Sequence, residues 1–294
     1  MRVAHLIMAH KEPAQVERLV KALLHDDADI YIHISTNSAI EPFEYLKLID
    51  HVRLIQNRLD VRWGSYKFTK AIIESTREIL QTGIAYDFIN LISGQDYPIK
   101  PVDKIHKFLE AHIGRSFIYD EPEGSDWWSH AITRVEKYHT TNFEFKGQYR
   151  IQAFINWLLP KRKFPLPMEL YGGSNSTWWT ISIESAEYLV QFFDNHPELR
   201  RFAYFSWGSD EFLVATILMN SPYRDKMICH NYRYIDWSDG GAHPVILTTK
   251  DLAGIKASDC LFARKFDVQQ DATILDRIDK EVLGLATYQD KMSA

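Results

Sequence analysis

Three groups of side chains in this sequence could do chemistry. Ser209-Asp210-Glu211 places two carboxylates directly before the apolar run 212–219. A carboxylate fixed at a helix start can act as a general base, taking the proton of an attacking hydroxyl. The same residues also describe a capped helix start with acids in its first turn, favourable with the helix dipole. The spacing leaves both readings open. Arg264-Lys265 lies between Leu261-Phe262-Ala263 and Phe266-Asp267. A guanidinium beside an ammonium suits a diphosphate, one binding bidentately and the other as a point charge; an exposed charged pair beside Asp267 would read the same way. Asp27-Ala28-Asp29 has a spacing that can hold a divalent ion, but it precedes a strand instead of following one, so it reads as a solvated turn. Asp96 follows a strand yet stands alone, and one carboxylate makes a poor Mg²⁺ site. The 12 histidines show no zinc-type spacing. No glycine-rich dinucleotide fingerprint or P-loop is present, which argues against dehydrogenases and kinases. No metal is expected.

The elements that must position these groups alternate in the first half. Residues 3–9 form a near-continuous apolar run, the mark of a strand buried on both faces. Pro13 can open a helix whose Val16, Leu19, Val20, Leu23 and Leu24 share one face. Residues 30–34 read as a second strand, 52–55 as a weaker third, 67–80 as a helix and 86–92 as a fourth strand. Ser93-Gly94-Gln95-Asp96-Tyr97-Pro98 reads as a loop. The β-α-β-β-α-β pattern predicts an α/β fold with a mostly parallel central sheet flanked by helices. Ligands then sit beyond the carboxyl ends of the strands, near residues 10–13, 35–38 and 93–98.

The second half is less regular. Residues 117–119 and 177–182 read as strands, 120–129 as an acidic, Trp-bearing loop. Residues 185–193, 210–219 and 273–283 read as helices; 140–168 resist assignment, and the tail from about Gly284 reads as loose. No repeat or linker interrupts the 294 residues, so one domain is expected, with a nucleotide-binding half to about 115 and a catalytic half from about 116.

Composition narrows the class. The formal charge of −5 argues against a nucleic-acid binder, and 46% hydrophobic with 25% charged residues is ordinary for a soluble protein. No window approaches 18 uninterrupted apolar residues. The opening ten residues turn polar too quickly for a signal peptide, and two cysteines cannot staple a secreted fold, so a reducing cytoplasm is expected.

Taken together, several strings resemble a known family. They are Leu6-Ile7-Met8-Ala9-His10-Lys11, Arg62-Trp63-Gly64-Ser65, Ile89-Asn90-Leu91-Ile92-Ser93-Gly94-Gln95-Asp96-Tyr97-Pro98, Ser209-Asp210-Glu211, Arg233-Tyr234-Ile235-Asp236-Trp237 and Leu261 to Asp267. The chain resembles the core-2/I-branching β-1,6-N-acetylglucosaminyltransferases, the glycosyltransferase family that also contains the peptide O-xylosyltransferases.

The resemblance implies a GT-A-like, Rossmann-type fold, a UDP-sugar donor and inversion at the anomeric carbon without a metal. It puts the catalytic base on Glu211 and the diphosphate-binding lysine on Lys265. The donor pocket maps to His10, His33, Ser35, Trp63, Asp96, Arg264 and His243. Acceptor contacts map to Trp237, Trp178 and the loop 121–137 with Glu121, Arg134 and Lys137. Related sequences usually carry Asp where this one has Ser35, and the second diphosphate cation has no direct counterpart, with His243 and Arg264 nearby. The transferred sugar would be GlcNAc, with xylose next, and the acceptor a glycan or lipid-linked glycan.

Two other classes fit less well: a carbohydrate-binding protein of the same fold without turnover, and a membrane-peripheral interaction protein using the Trp and basic cluster at 157–164. The latter would place the protein at the inner face of the membrane, a contact compatible with a lipid-linked acceptor.

Overall fold

The computed structural model describes residues 1–241 and 243–285, so the tail expected to be loose lies largely outside the described residues. The apolar run at the start forms β1 (Val3–Ala9), buried throughout. It continues through α1 (Pro13–Leu23), β2 (Ala28–Ile34), β3 (Val52–Leu54), α2 (Tyr66–Gln81) and β4 (Phe88–Ser93). β1 pairs in parallel with both β2 and β4, and β3 pairs in parallel with β2.

Alternation along β1 explains why it has no polar face. Val3, Ile7 and Ala9 pack in one core with Val16, Leu19, Val20 and Leu23 of α1, while Ala4, Leu6 and Met8 pack in another with Ile72, Ile73 and Ile79 of α2. The sheet is therefore covered on both sides. Leu19, fully buried, would cost about 2–5 kcal/mol on truncation to alanine.

The chain then runs through short elements: β5 (Asp96–Pro98), α3 (Val102–Glu110), β6 (Ser116–Phe117), β7 (Glu121–Pro122), α4 (Asp126–Ala131), α5 (Thr133–Glu136), α6 (Gln148–Leu158), β8 (Tyr171–Gly172) and β9 (Thr180–Ser182). After these come α7 (Ile183–Asn195), α8 (Pro197–Tyr204), α9 (Leu213–Met219), β10 (Met227–Ile228), β11 (Arg233–Ile235), α10 (Leu252–Ala257), β12 (Phe262–Arg264) and α11 (Thr273–Ile278). The main sheet has the order β10-β6-β9-β4-β1-β2-β3, with β9 antiparallel to its neighbours; β11-β12-β5 form a second sheet and β7-β8 a ribbon.

Several expectations need correction. Residues 93–98 are a tight turn leading into β5, because Asp96 accepts from the backbone N–H and hydroxyl of Ser93 and closes the turn. The acidic stretch 120–129 carries β7 and the start of α4, since Trp128 is buried against Phe212. The helix expected over 210–219 breaks at Phe212 into a 3₁₀ turn (Ser209–Glu211) and α9. The last helix changes from α11 to a π-helical turn over Asp279–Leu283. Asp29 is no solvated turn residue: its carboxylate is buried, 2.7 Å from Arg2 and 2.8 Å from the Tyr86 hydroxyl.

Two buried polar networks lock the layers. Asn90 of β4 bonds His5 at 2.8 Å, accepts from Thr180 at 2.8 Å and accepts from Arg233 of the second sheet. At the far side Arg18 pairs with Asp276 (2.8 Å) and Asp279 (2.7 Å), and Tyr97 donates to Asp279 at 2.6 Å, fastening the last helix to α1 and β5. Removing one partner of such a buried pair costs about 3–5 kcal/mol, because the other charge stays behind.

Candidate active site

The carboxyl ends of β1, β2 and β4 open into a cleft of about 630 Å³, a size suited to a small ligand. Met8 to Lys11, His33, Ser35, Ser93 and Gln95 line its sheet side. The second sheet contributes Ile235, Arg264 and Lys265; Asp210 and Glu211 close the floor. This is where an open α/β sheet places its ligands.

Glu211 is held by geometry reaching across the chain. Gly208 adopts φ 60°, and a Cβ there would lie 2.5 Å from Nη1 of Arg134, so only glycine fits. Its N–H donates to the carbonyl of Gly64 at 2.8 Å, and the Ser209 hydroxyl bonds Thr69 at 2.7 Å. These contacts join the Arg62-Trp63-Gly64-Ser65 segment to the carboxylates. Arg134 donates to Oε2 of Glu211 at 2.5 Å and lies over the rings of Trp127 and Trp207, its Cζ 5.1 Å and 4.3 Å from the ring centres. Oε1 has no hydrogen-bond partner among the described residues. Loss of solvation pushes the Glu211 carboxyl up to about 7, opposed by Arg134 and reinforced by Asp210. A carboxylate poised there can exchange protons at neutral pH. Asp210 is more deeply buried, its pKa raised by desolvation, and accepts from Thr177 at 2.8 Å.

The cations line the same cleft. Arg264 is buried, 3.6 Å from Asp96 and 4.3 Å above the Trp178 ring; its Nε and Nη1 lack hydrogen-bond partners. Lys265 has no acid within ion-pair distance among the described residues. Its backbone is fixed from both sides, since Leu247 N–H donates to its carbonyl and the next residue, Phe266, donates to Gln95, both at 2.8 Å. Desolvation and the charges of Arg264 and Lys11 hold its pKa below the ordinary lysine value. A half-buried cation with no acid paired to it suits an anion.

A third wall suits a flat ligand. His33 accepts from the Leu59 N–H at its Nε2 (3.0 Å), so Nδ1 carries the proton and is left unpaired; burial lowers its pKa to about 4, keeping the ring neutral. Ser35 accepts from the N–H groups of Val61 and Asn37 and so shapes the neighbouring loop. Trp63 is exposed, its ring centre 5.0 Å from that of His243, and both line the cleft, as does His10. Trp237 also lines the cleft, its indole N–H donating to Asn175 at 2.8 Å.

Of the residues expected at the site, four stand elsewhere. Asp96 lies beneath the cleft, both oxygens engaged by Ser93 and Arg264. Glu121, bonded by the Tyr119 hydroxyl, and exposed Lys137 do not line the cleft. Arg134 also sits behind the cleft and acts on Glu211. Trp178 does line it, but Arg264 covers one of its faces. The 121–137 segment is drawn away because Trp128 and Val135 are needed in the core.

Lys11, Asn37 and Gln95, which fall in the three strand-end loops expected to meet a ligand, and Thr177 line the cleft without having been given individual roles. Lys11 pairs with Asp267 at 2.7 Å, a contact 256 residues apart that no local pattern announces. Its place next to His10 at a strand end was the available signal. Among the described residues no group of three or more His, Cys, Asp or Glu side chains is arranged to hold a metal.

A family model described as Core-2/I-Branching enzyme matches residues 3–256. Xylosyltransferase 2 of Rattus norvegicus is 23% identical over 308 residues, covering 97% of this chain and 34% of that protein. Xylosyltransferase 1 of the same species is 24% identical over 312 residues, covering 97% and 36%. The chain thus spans about a third of the length of the curated relatives it matches. Among solved structures, apo mouse xyloside xylosyltransferase 1 aligns with a TM-score of 0.39 at 9% identity, over 89% of this chain and 96% of that one, too loosely to add to the assignment.

Proposed function

Because this chain belongs to the Core-2/I-Branching enzyme family, we propose that it transfers a sugar from a nucleotide-sugar donor, UDP-linked, to a hydroxyl of a glycan acceptor. The observation that carries this reading is that Glu211, Lys265 and Arg264 line one cleft. Transfer needs a base on the acceptor side and positive charge where the leaving group departs.

The proposed step is a single inverting displacement. Oε1 of Glu211 takes the acceptor hydroxyl proton while the oxygen bonds to the anomeric carbon. The bond from that carbon to the β-phosphate oxygen breaks, and the departing diphosphate keeps the electron pair. Lys265, with Arg264 behind it, receives that charge. No divalent ion is required, because the positive charge is built into the chain. The unpaired Nδ1–H of His33 and the Trp63 ring suit a nucleobase, and Trp237 suits the apolar face of an acceptor sugar.

For the donor sugar, GlcNAc follows the founding activity of the family; the names of the two rat relatives bring xylose forward as its rival. A release assay for UDP with UDP-GlcNAc and UDP-xylose, against a panel of glycan acceptors, tests the proposal. Acceptor-dependent UDP release that Glu211→Gln abolishes supports it. Binding of sugars without turnover of any donor overturns it in favour of a lectin-like protein.

A further inference from the structure

Helix α6 is inside out. Gln148, Gln152 and Asn156, at i, i+4 and i+8, face the protein and hydrogen-bond it: Gln148 to the Thr140 carbonyl (2.8 Å), Gln152 to the Thr140 N–H (2.9 Å) and Asn156 to both backbone groups of Tyr138 (2.8 and 2.7 Å). The apolar side chains point away. Tyr149 is 74% exposed, Phe154 57%, Trp157 78% and Leu158 61%. Surface helices normally turn such a stripe toward the core. Eight of the fourteen large apolar side chains exposed among the described residues fall within 143–159.

The charge is sorted in the same place. Residues 145–164 contain Lys146, Arg150, Lys161, Arg162 and Lys163 and no acid, on a chain whose net charge is −5. Arg162 is spent on anchoring: it donates to the carbonyls of Phe205 (2.6 Å) and Lys137 (3.0 Å) and lies 3.9 Å over the Phe202 ring. Lys161 pairs with Glu136 at 2.6 Å. Lys146, Arg150 and Lys163 make no ion pair among the described residues; Lys146 and Lys163 flank the apolar stripe at its two ends, and Arg150 lies in the first turn of α6.

We propose that α6 and the basic segment after it dock this protein on an anionic lipid bilayer. Aromatic and leucine side chains on one helix face, bordered by lysine and arginine, have the chemistry of a helix lying in the headgroup plane. The basic border singles out anionic lipid over a neutral apolar partner. No helix among the described residues is long and apolar enough to cross a membrane, so the contact is peripheral. The segment leading into α6 meets the loop that carries the cleft residue Trp63: Glu144 pairs with Arg62 at 2.9 Å and the Thr141 hydroxyl reaches the Gly64 carbonyl at 3.4 Å, either side of Trp63. The cleft rim would therefore lie beside the bilayer.

Flotation with vesicles of phosphatidylcholine, with and without phosphatidylglycerol, tests the proposal without any catalytic readout. The protein should float with the phosphatidylglycerol vesicles, and less so at high salt. Phe154→Ser with Trp157→Ser should weaken binding by about 10-fold or more, because two membrane anchors are lost. Lys146→Glu with Lys163→Glu should remove the preference for anionic lipid. Melting temperatures should be unchanged, since these side chains are exposed. Absence of vesicle binding, or binding unaffected by both double variants, overturns the proposal. So does a dimer in sedimentation that Phe154→Ser with Trp157→Ser dissociates while vesicles leave the wild type unbound; the stripe would then be covered by a second copy.

Discussion

Arg134 holds one oxygen of Glu211 at 2.5 Å while the Trp127 and Trp207 rings pack against the Arg134 guanidinium. The carboxylate is thus fixed in direction without being neutralised as a base. Desolvation wins over the guanidinium and leaves the carboxyl near 7, well above an ordinary glutamate.

The simplest consequence concerns the base itself. Glu211→Gln keeps the shape and can still accept from Arg134, so the fold should survive. Turnover should drop by about 10²–10⁴-fold, the usual worth of a general base. Circular dichroism and UDP-release kinetics on the same preparation check both halves. Near-normal turnover would remove Glu211 from the role and point to Asp210.

A pH profile follows from the same carboxyl. Glu211 works as a base only when ionised, so activity should rise with pH through about 7. Lys265 binds diphosphate only when protonated, and its lowered pKa should bend the profile down again on the alkaline side. Arg134→Met removes the charge that lowers the Glu211 pKa, so the acidic limb should move to higher pH. A merely structural loss would scale the whole curve without moving that limb.

How much of this was legible beforehand depends on where the forces act. β1, α1, β2 and α2 could be read because each carries a continuous local pattern and faces a core on that pattern's terms. Helix α6 could not, since periodicity assumes that the apolar stripe is buried, and here Gln148, Gln152 and Asn156 face inward. Strands of two or three residues, such as β6 and β10, have no period to detect. At the site, strand ends drew attention to the loops 10–13, 35–38 and 93–98, several of whose residues line the cleft, whereas His33 and the role of Lys265 came from the family resemblance. The capture of Asp96 by Ser93 and Arg264, and the reach of Arg134 to Glu211 across 77 residues, come from tertiary closure. No spacing in the chain encodes them.

The two cations should separate on mutation. Lys265→Ala removes a half-buried side chain that carries no ion pair, so it should weaken UDP binding about 10- to 100-fold with little change in melting temperature, in line with roughly 1.5–3 kcal/mol for a charged hydrogen bond. Arg264→Ala strips the partner from buried Asp96 and uncovers Trp178, so it should lower the melting temperature as well. Calorimetry with UDP beside thermal denaturation distinguishes them. Equal UDP affinity in Lys265→Ala and wild type would break the diphosphate assignment.

Trp237 offers a test of the acceptor side. Its ring lines the cleft while its N–H is satisfied by Asn175 at 2.8 Å, leaving the ring to make contact by its surface. Trp237→Phe keeps an aromatic face and should be mild. Trp237→Ala should raise the acceptor KM by about 5- to 10-fold, the order of one aromatic contact, with UDP binding unchanged. A lower melting temperature with an unchanged acceptor KM would make Trp237 a packing residue.

The sharpest expectation is indifference to chelators. A nucleoside diphosphate leaving group needs positive charge at its β-phosphate in the transition state, supplied either by a metal or by side chains. A metal would need carboxylate oxygens facing the cleft from the diphosphate side. Asp96 has the right strand but is fully buried, with one oxygen taking the Ser93 hydroxyl at 2.8 Å and the other the Ser93 N–H at 3.1 Å. Asp27 and Asp29 sit at the opposite end of β2, where Asp29 is bound by Arg2, Tyr86 and His51. Lys265, in contrast, lines the cleft with no acid paired to it, and Arg264 adds a second charge behind it. UDP release should therefore continue at the same rate in excess EDTA, and added Mn²⁺ should not raise it. The rate in Lys265→Ala should likewise not be rescued by Mn²⁺, because the carboxylates that line the cleft among the described residues, Asp210 and Glu211, are engaged by Thr177 and Arg134. Activity lost in EDTA and restored by Mn²⁺ would overturn this assignment and require the Asp96 turn to open.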